Sequence, residues 1–538
     1  MATVVNFHGK NYIEPGSYAV SVYNPTSVTN VSEFGNVMII DTGLSINGKY
    51  EFAGGSGIHG ELNKSLKSVY EFDNYEDFLS FMGGGLVGDI AEKIFTPMDG
   101  QAGAPKLYYC RAATTTCANL ELKFSSSTLT LKCKNEGISG NGVIEGGQLK
   151  VGYAARVVAG TDDETKFKLQ VYRGSYMGED EYGEAYGAKT WETASGNLLA
   201  ESEEFSTLQE LYDWARADKY VLANFVVSMK GEGTQSLSEV VLTAASGGTT
   251  EYLSGTEYAD VLEAISELDV TFFLATNTTV AGGTDAATNG KLFTFLKNDA
   301  KFTEFMAIPG GSADDDLFGD NNSSQAIAKY YDSGQAIVVH GAPIVNRKDG
   351  NGTKQLPSIY LTAAVVGLNA GLAAQTPLTF QRVGYQSFAY DLKKKEREKA
   401  LQAGIMHVRN VSGYWCINQG ITTIQDNKKT YATDGQSLEL SIELIKAQLN
   451  KELIVDSSSR FTGKNSVIAS AQTVKNFVET KLNSLTASTD SDNLIVSWKN
   501  VKVTAKNTDY YITYDFQPNV PVNKLFFTGN VLDLDVSA

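Results

Sequence analysis

Sixteen consecutive residues, Ile359-Tyr-Leu-Thr-Ala-Ala-Val-Val-Gly-Leu-Asn-Ala-Gly-Leu-Ala-Ala374, carry no charge and are polar only at Tyr360, Thr362 and Asn369. A helix that is apolar on every side is stable only when other elements surround it. A bilayer span needs about 20 residues, so this segment predicts a buried helix inside a large fold. The segment is rich in Ala and Gly, and a large residue in place of Gly367 or Gly371 is expected to disrupt close packing of the helix. A chain of 538 residues, at roughly 150 per domain, suggests three or four domains and can build such an interior.

The elements around this helix read as α/β. Val37-Met-Ile-Ile-Asp41 is a short apolar strand. Asn74 caps a helical run with Tyr75, Phe78 and Leu79, Gly83 to Gly85 break it, and Leu86, Ile90 and Ile94 mark a second helix. Leu107 to Arg111 is a strand. From Val240 helices and strands alternate: helix at Val261, Leu262, Ile265 and Leu268, strand Val270 to Leu274; helix at Leu292, Phe295 and Leu296, strand Phe305 to Ile308; helix at Ile327 and Tyr330, strand Ala336 to Val339. Repeated units of this kind predict a partly parallel sheet.

Two regions depart from that pattern. Between Leu120 and Val227, apolar residues alternate with polar ones (Leu120, Leu122, Phe124; Leu129, Leu131; Phe167, Leu169, Val171), with acidic turns at Asp162 to Glu164 and Glu179 to Glu181. This predicts a β-rich, outward-facing insertion. After Pro377 the pattern is α+β: helices with stripes at Leu438, Ile442, Ile445, Leu449 and at Val467, Ala471, Val474, Val478, Leu482, then strands Leu494 to Trp498 and Tyr510 to Phe516. Both termini are strand-like, at Val4, Val5 and Phe7 and at Val531, Leu532, Leu534 and Val536. The expected architecture is a multidomain α+β and α/β protein. A central mixed α/β core carries a β-rich inserted outer domain and extended N- and C-terminal arms. The expected limits are 1–20 for the N-terminal arm, 21–119 and 241–375 for the core, 120–240 for the insertion, 376–520 for a C-terminal domain and 521–538 for the C-terminal arm.

Charge divides the chain. The whole carries −17, but residues 1–374 carry −20 (26 basic, 46 acidic) and residues 375–481 carry +5 (15 basic, 10 acidic). An acidic chain is a poor general ligand for nucleic acid or anionic lipid. The basic segment, with Lys393, Lys394, Lys395, Arg397 and Lys399 close together, reads either as a solvated helix face or as a face turned to an acidic partner. The first residues lack a basic flank followed by an apolar stretch, so the expectation is a soluble chain made in a cytoplasm.

Signatures of chemistry are weak. Gly43 to Lys49 matches GxxxxGK after a strand, yet Tyr50 replaces the Ser or Thr that would hold magnesium, and a Gly-rich stretch follows instead of a helix. His8, His59, His340 and His407 are far apart, with no HExxH or GxSxG; His340 reads as a satisfied residue at a strand edge. The Asp314, Asp315, Asp316, Asp320 loop has Phe318 and Gln325 where a calcium loop needs oxygen ligands. Cys110, Cys117, Cys133 and Cys416 have no zinc-like spacing and read as small buried hydrophobes. No catalytic, metal or cofactor site is expected.

Several blocks, in order, resemble the sheath proteins of contractile phage tails and related injection machines. They are Asn74-Tyr-Glu-Asp-Phe78 with the glycines at 83–85, Pro105-Lys-Leu-Tyr-Tyr-Cys-Arg-Ala112, and Leu131 to Asn141, which is similar to a "pG.wGN" element with Ser139 in the Trp position. In the second half they are Leu356-Pro-Ser-Ile-Tyr360, the small-residue helix and Thr376-Pro-Leu-Thr379, followed by Ala403-Gly-Ile405 through Thr423, similar to the "ginT" stretch.

The resemblance implies a non-enzymatic subunit, with no cofactor, that stacks in six-fold rings around an inner tail tube. It implies contraction that drives the tube through the host envelope, with baseplate and tail terminator as further partners, no nucleic-acid contact and no membrane insertion. It implies assembly in the host cytoplasm and a place in the virion. The terminal strands would add to a neighbouring subunit's sheet, and Lys393, Lys394, Lys395, Arg397, Lys475 and Lys481 would be candidates to face the tube. The alternatives are the sheath of a bacterial injection or secretion system, an acidic surface or adhesin-type protein, and an enzyme with a dispersed site.

Overall fold

The computed structural model describes residues 5–7, 10–12, 34–41, 69–111 (except 83 and 84), 113–136, 140–145, 147–174, 198–252, 261–275 (except 264 and 267), 292–296 (except 295), 304–311, 317–319, 323–346, 352–425, 438–464, 469–486, 493–506 and 509–519. Calls on Val4, the 43–49 loop, Phe295, Asp314 to Asp316, Val467 and Val531 to Val536 lie outside these residues.

An eight-stranded sheet forms the centre, in the order Tyr414–Ile417, Ile405–Val411, Ala336–His340, Phe305–Pro309, Phe272–Ala275, Val37–Asp41, Leu107–Arg111, Val69–Phe72. Its six inner strands run parallel and each outer strand is antiparallel to its neighbour. The inner strands are apolar at nearly every position because both faces are covered. Val37 and Ile39, with Ile337 and Val339, point into one core, while Met38 and Ile40, with Ala336 and Val338, point into the other.

The small-residue helix, Ser358–Gly371, lies in the first core, and every residue from Ser358 to Ala370 is buried. It packs on the sheet and on the helix Gly85–Phe95. The second core is closed by the helix Ser324–Tyr331 and the helix Lys394–Gln402. Ser324, Ile327, Ala328 and Tyr331 form the buried stripe of the former. The expected core residue Tyr330 is therefore on the outer side, because a 1-4-5-8 stripe in this register ends on Tyr331.

The insertion has its own core, built from residues between Ala118 and Ala245. Two four-stranded antiparallel sheets enclose it, ordered Leu198–Glu201, Phe167–Arg173, Tyr153–Ala159, Val240–Ala244 and Phe225–Lys230, Ser127–Glu136, Ala113–Phe124, Thr249–Tyr252. The sheets thus begin earlier and end later than the sequence limits of 120 and 240.

The long helix Leu440–Phe461 joins the first core at Leu440, Leu444, Ile445, Ala447, Leu449 and Leu453. The helix Ala471–Thr486 packs against it and against a hairpin, Ile495–Lys506 with Asp509–Pro518. The central sheet takes two strands from beyond residue 375, so the expected division there does not coincide with a break in the sheet.

Candidate assembly surface

The basic residues singled out in the sequence separate into distinct settings. Lys393, Lys394 and Lys395 are exposed at the start of the helix Lys394–Gln402. Lys394 pairs loosely with Glu398 at 3.9 Å. Arg397 is turned inward, 3.7 Å from Asp391 and donating to the Leu392 carbonyl. Lys475 is 3.6 Å from Glu479 on its own helix. Lys481 is held by Glu452 at 2.8 Å and Asp456 at 3.0 Å, both on the long helix. Burial lowers its pKa, but these two carboxylates outweigh that and leave it raised. The structure thus ties Lys481 into an intrachain clasp and leaves the 393–395 group as the open cationic face.

Of the two terminal segments, the described residues are 5–7 and 10–12. Val5–Phe7 pairs with Lys10–Tyr12 as a two-stranded antiparallel unit. Such a unit is marginal by itself in water, and among the described residues neither strand joins a further one. The hairpin Ile495–Lys506/Asp509–Pro518 is longer and is seated at one end. Ile495 and Val501 are buried, Tyr514 donates to Asn450, and Trp498 donates to Asn483. Among the described residues it too has only two strands.

The glycines of the small-residue helix lie against neighbouring backbone. A Cβ on Gly367 would lie 2.4 Å from the Lys93 carbonyl oxygen, and one on Gly371 would lie 1.9 Å from that of Ala102. Gly35, with φ +106°, faces the same helix end, where a Cβ would lie 2.2 Å from the Ala370 carbonyl. This clamps the helix, its neighbour and the first sheet strand at backbone contact.

The interior contains one polar constellation that sequence reasoning placed differently. His340 belongs to an inner strand, not an edge, and is buried. Its Nδ1 is 2.8 Å from Ser324 Oγ and its Nε2 2.7 Å from Tyr390 Oη. His407 is its register partner, 3.1 Å from Asn418 Nδ2. Burial pushes His340 down to about 3 and His407 down to about 4. Both rings are neutral wall elements that satisfy buried groups, since a base held this far below neutrality is not poised for proton transfer at pH 7. Cys110 and Cys133 are buried thiols pushed up to about 12 by burial, far from a reactive thiolate. Among the described residues no cluster of His, Cys, Asp and Glu could hold a metal ion, and no helix is long and apolar enough to cross a membrane.

Sequence reasoning missed Arg382 and Arg409, which stand singly and carry no run to mark them; their setting on the sheet surface emerges only from strand pairing.

No family model matches the chain. Over 199 residues, 36% of this chain, it is 25% identical to a protein of Bacillus phage SP01 described as a tail sheath protein; the match spans 33% of that relative's length. Two crystal structures of sheath tail proteins are similar along nearly the whole chain. The Desulfitobacterium hafniense protein has TM-score 0.57 and 18% identity, over 93% of this chain and 97% of that one. The Listeria innocua protein has TM-score 0.51 and 16% identity, over 93% and 96%. The sheet, the buried small-residue helix, the insertion and the C-terminal helices together thus give this chain the fold of the sheath tail proteins, as the order of its sequence blocks implied.

Proposed function

We propose that the chain is the subunit of a contractile phage tail sheath. Subunits stack as six-fold rings around an inner tube and shorten to drive the tube through the host envelope during genome delivery. The observation that carries this reading is likeness to a sheath tail protein over 93% of the chain and 97% of that relative. The sequence match to a phage tail sheath protein favours a phage tail over a bacterial injection system.

The physical arrangement supports a mechanical role. Two short strands near the N-terminus and the hairpin Ile495–Lys506/Asp509–Pro518 are each two-stranded sheets among the described residues, and strand addition acts at the edges of such sheets. Addition of terminal strands such as Val4 to Phe7 and Val531 to Val536 to a neighbour's hairpin would satisfy those edges and keep subunits linked while other interfaces exchange. The exposed Lys393 to Lys395 group suits an acidic tube surface, through contacts that salt weakens and movement can break. Baseplate and terminator would meet the ends of the stack. The subunit would work in the virion after assembly in the host cytoplasm, without enzymatic activity.

Negative-stain electron microscopy of the purified chain, alone and with its tube protein, tests the proposal. Long hollow tubes with ring striations are expected. A small closed oligomer in both samples would overturn it.

A further inference from the structure

The surface of the edge strand Tyr414–Ile417 carries an arrangement that core packing does not require. Cys416 lies opposite Arg409 on one neighbouring strand and opposite Arg382 on the other side. Cross-strand partners and side chains two apart along a strand share a face, so Arg382, Tyr414, Cys416 and Arg409 line one surface, and the turn residue Phe380 joins it under Arg409. The Arg382 guanidinium stacks on Tyr414, 3.6 Å from the ring centre, and the Arg409 guanidinium on Phe380 at 4.4 Å.

Three features set this surface apart. Phe380 and Tyr414 are 50% and 53% exposed, so two large rings face water. Phe380 has φ +64°, a left-handed backbone that is uncommon and costly for a bulky residue and that clusters at functional sites. Among the described residues, neither arginine forms an ion pair, and Arg409 Nε is buried without a hydrogen-bond acceptor. A guanidinium lying over a ring still carries N–H groups that can bind a carboxylate in paired hydrogen bonds.

We propose that Arg382 and Arg409, held by Tyr414 and Phe380, form a carboxylate-binding site for an acidic surface segment of a second copy of this chain. Charge complementarity selects that occupant. The site lies in the 375–481 segment of net charge +5, and residues 1–374 of every copy carry −20. The proposal rests on the sheath reading insofar as it makes self-contact the purpose of the site.

The test uses the full chain and the variants Arg382→Gln/Arg409→Gln and Arg382→Lys/Arg409→Lys. Thermal melts establish that each is folded. Self-association is followed by sedimentation at 50 and 500 mM NaCl, and hexaglutamate is titrated against each protein by calorimetry. The glutamine variant is expected to need about a tenfold higher concentration to assemble and to lose hexaglutamate binding. The lysine variant should recover only part of both, because lysine keeps charge without the planar fork. Unchanged assembly with lost hexaglutamate binding would assign the arginines to a different acidic partner and overturn the self-contact. Unchanged behaviour in both assays would overturn the site altogether. If the wild-type chain does not self-associate, the sheath reading and the self-contact fail together, while hexaglutamate binding still decides whether the arginines form a carboxylate site.

Discussion

Gly371 and Ala102 touch through backbone alone: a Cβ on the glycine would lie 1.9 Å from the Ala102 carbonyl oxygen, which nothing short of a shift of the helix can relieve. Alanine is the better helix former by about 1 kcal/mol, so propensity alone favours Gly371→Ala. Overpacking of this kind typically costs about 1–3 kcal/mol, and rigid backbone on both sides puts this site at the upper end. Chemical denaturation should show Gly371→Ala and Gly367→Ala to be destabilised. Gly88→Ala is the control, because its Cβ would meet only Leu79 Cδ1 at 3.7 Å; it should be neutral or stabilising.

Acid should loosen the sheet. His340 and His407 have folded-state pKa values of about 3 and about 4, below the ordinary 6.5. Between these limits the unfolded chain binds protons that the folded chain refuses. Their contribution is therefore complete above about pH 6.5 and is lost as pH falls toward 4. At pH 5 the pair should cost up to about 4 kcal/mol relative to pH 7. Unfolding free energies at the two pH values check this, and the difference should shrink in His340→Gln/His407→Gln.

Lys481 should behave as a clasp between helices. Lys481→Met removes its bonds to Glu452 and Asp456 and leaves two carboxylates facing each other. A loss of about 1 kcal/mol is expected, given partial exposure. Lys394→Gln/Lys395→Gln should change stability by no more than about 0.5 kcal/mol; under the proposed function it should also weaken co-sedimentation with a tube protein at low salt.

The arms can be tested by truncation. Removing residues 1–12 or residues 526–538 should leave a chain with the same thermal unfolding but unable to form long polymers. Normal tubes from either truncation would refute strand exchange between subunits.

Much of this architecture is written in local patterns. The all-apolar helix, the strands Val37–Asp41, Phe305–Pro309 and Ala336–His340, and the alternation at Leu120, Leu122 and Phe124 each follow from periodicity, because burial on one face, two faces or all sides imposes its own spacing. The cap at Asn74, whose side chain accepts from the Asp77 amide, is equally local. What tertiary structure alone decided is which distant residues meet. No local pattern places His340 beside Ser324, Tyr390 and His407, turns Lys481 toward the long helix, or brings Arg382 and Arg409 to either side of Cys416. Strand order and helix packing are set by the free energy of the whole core, and a short-range period carries the face of each element but not the identity of the neighbour across it.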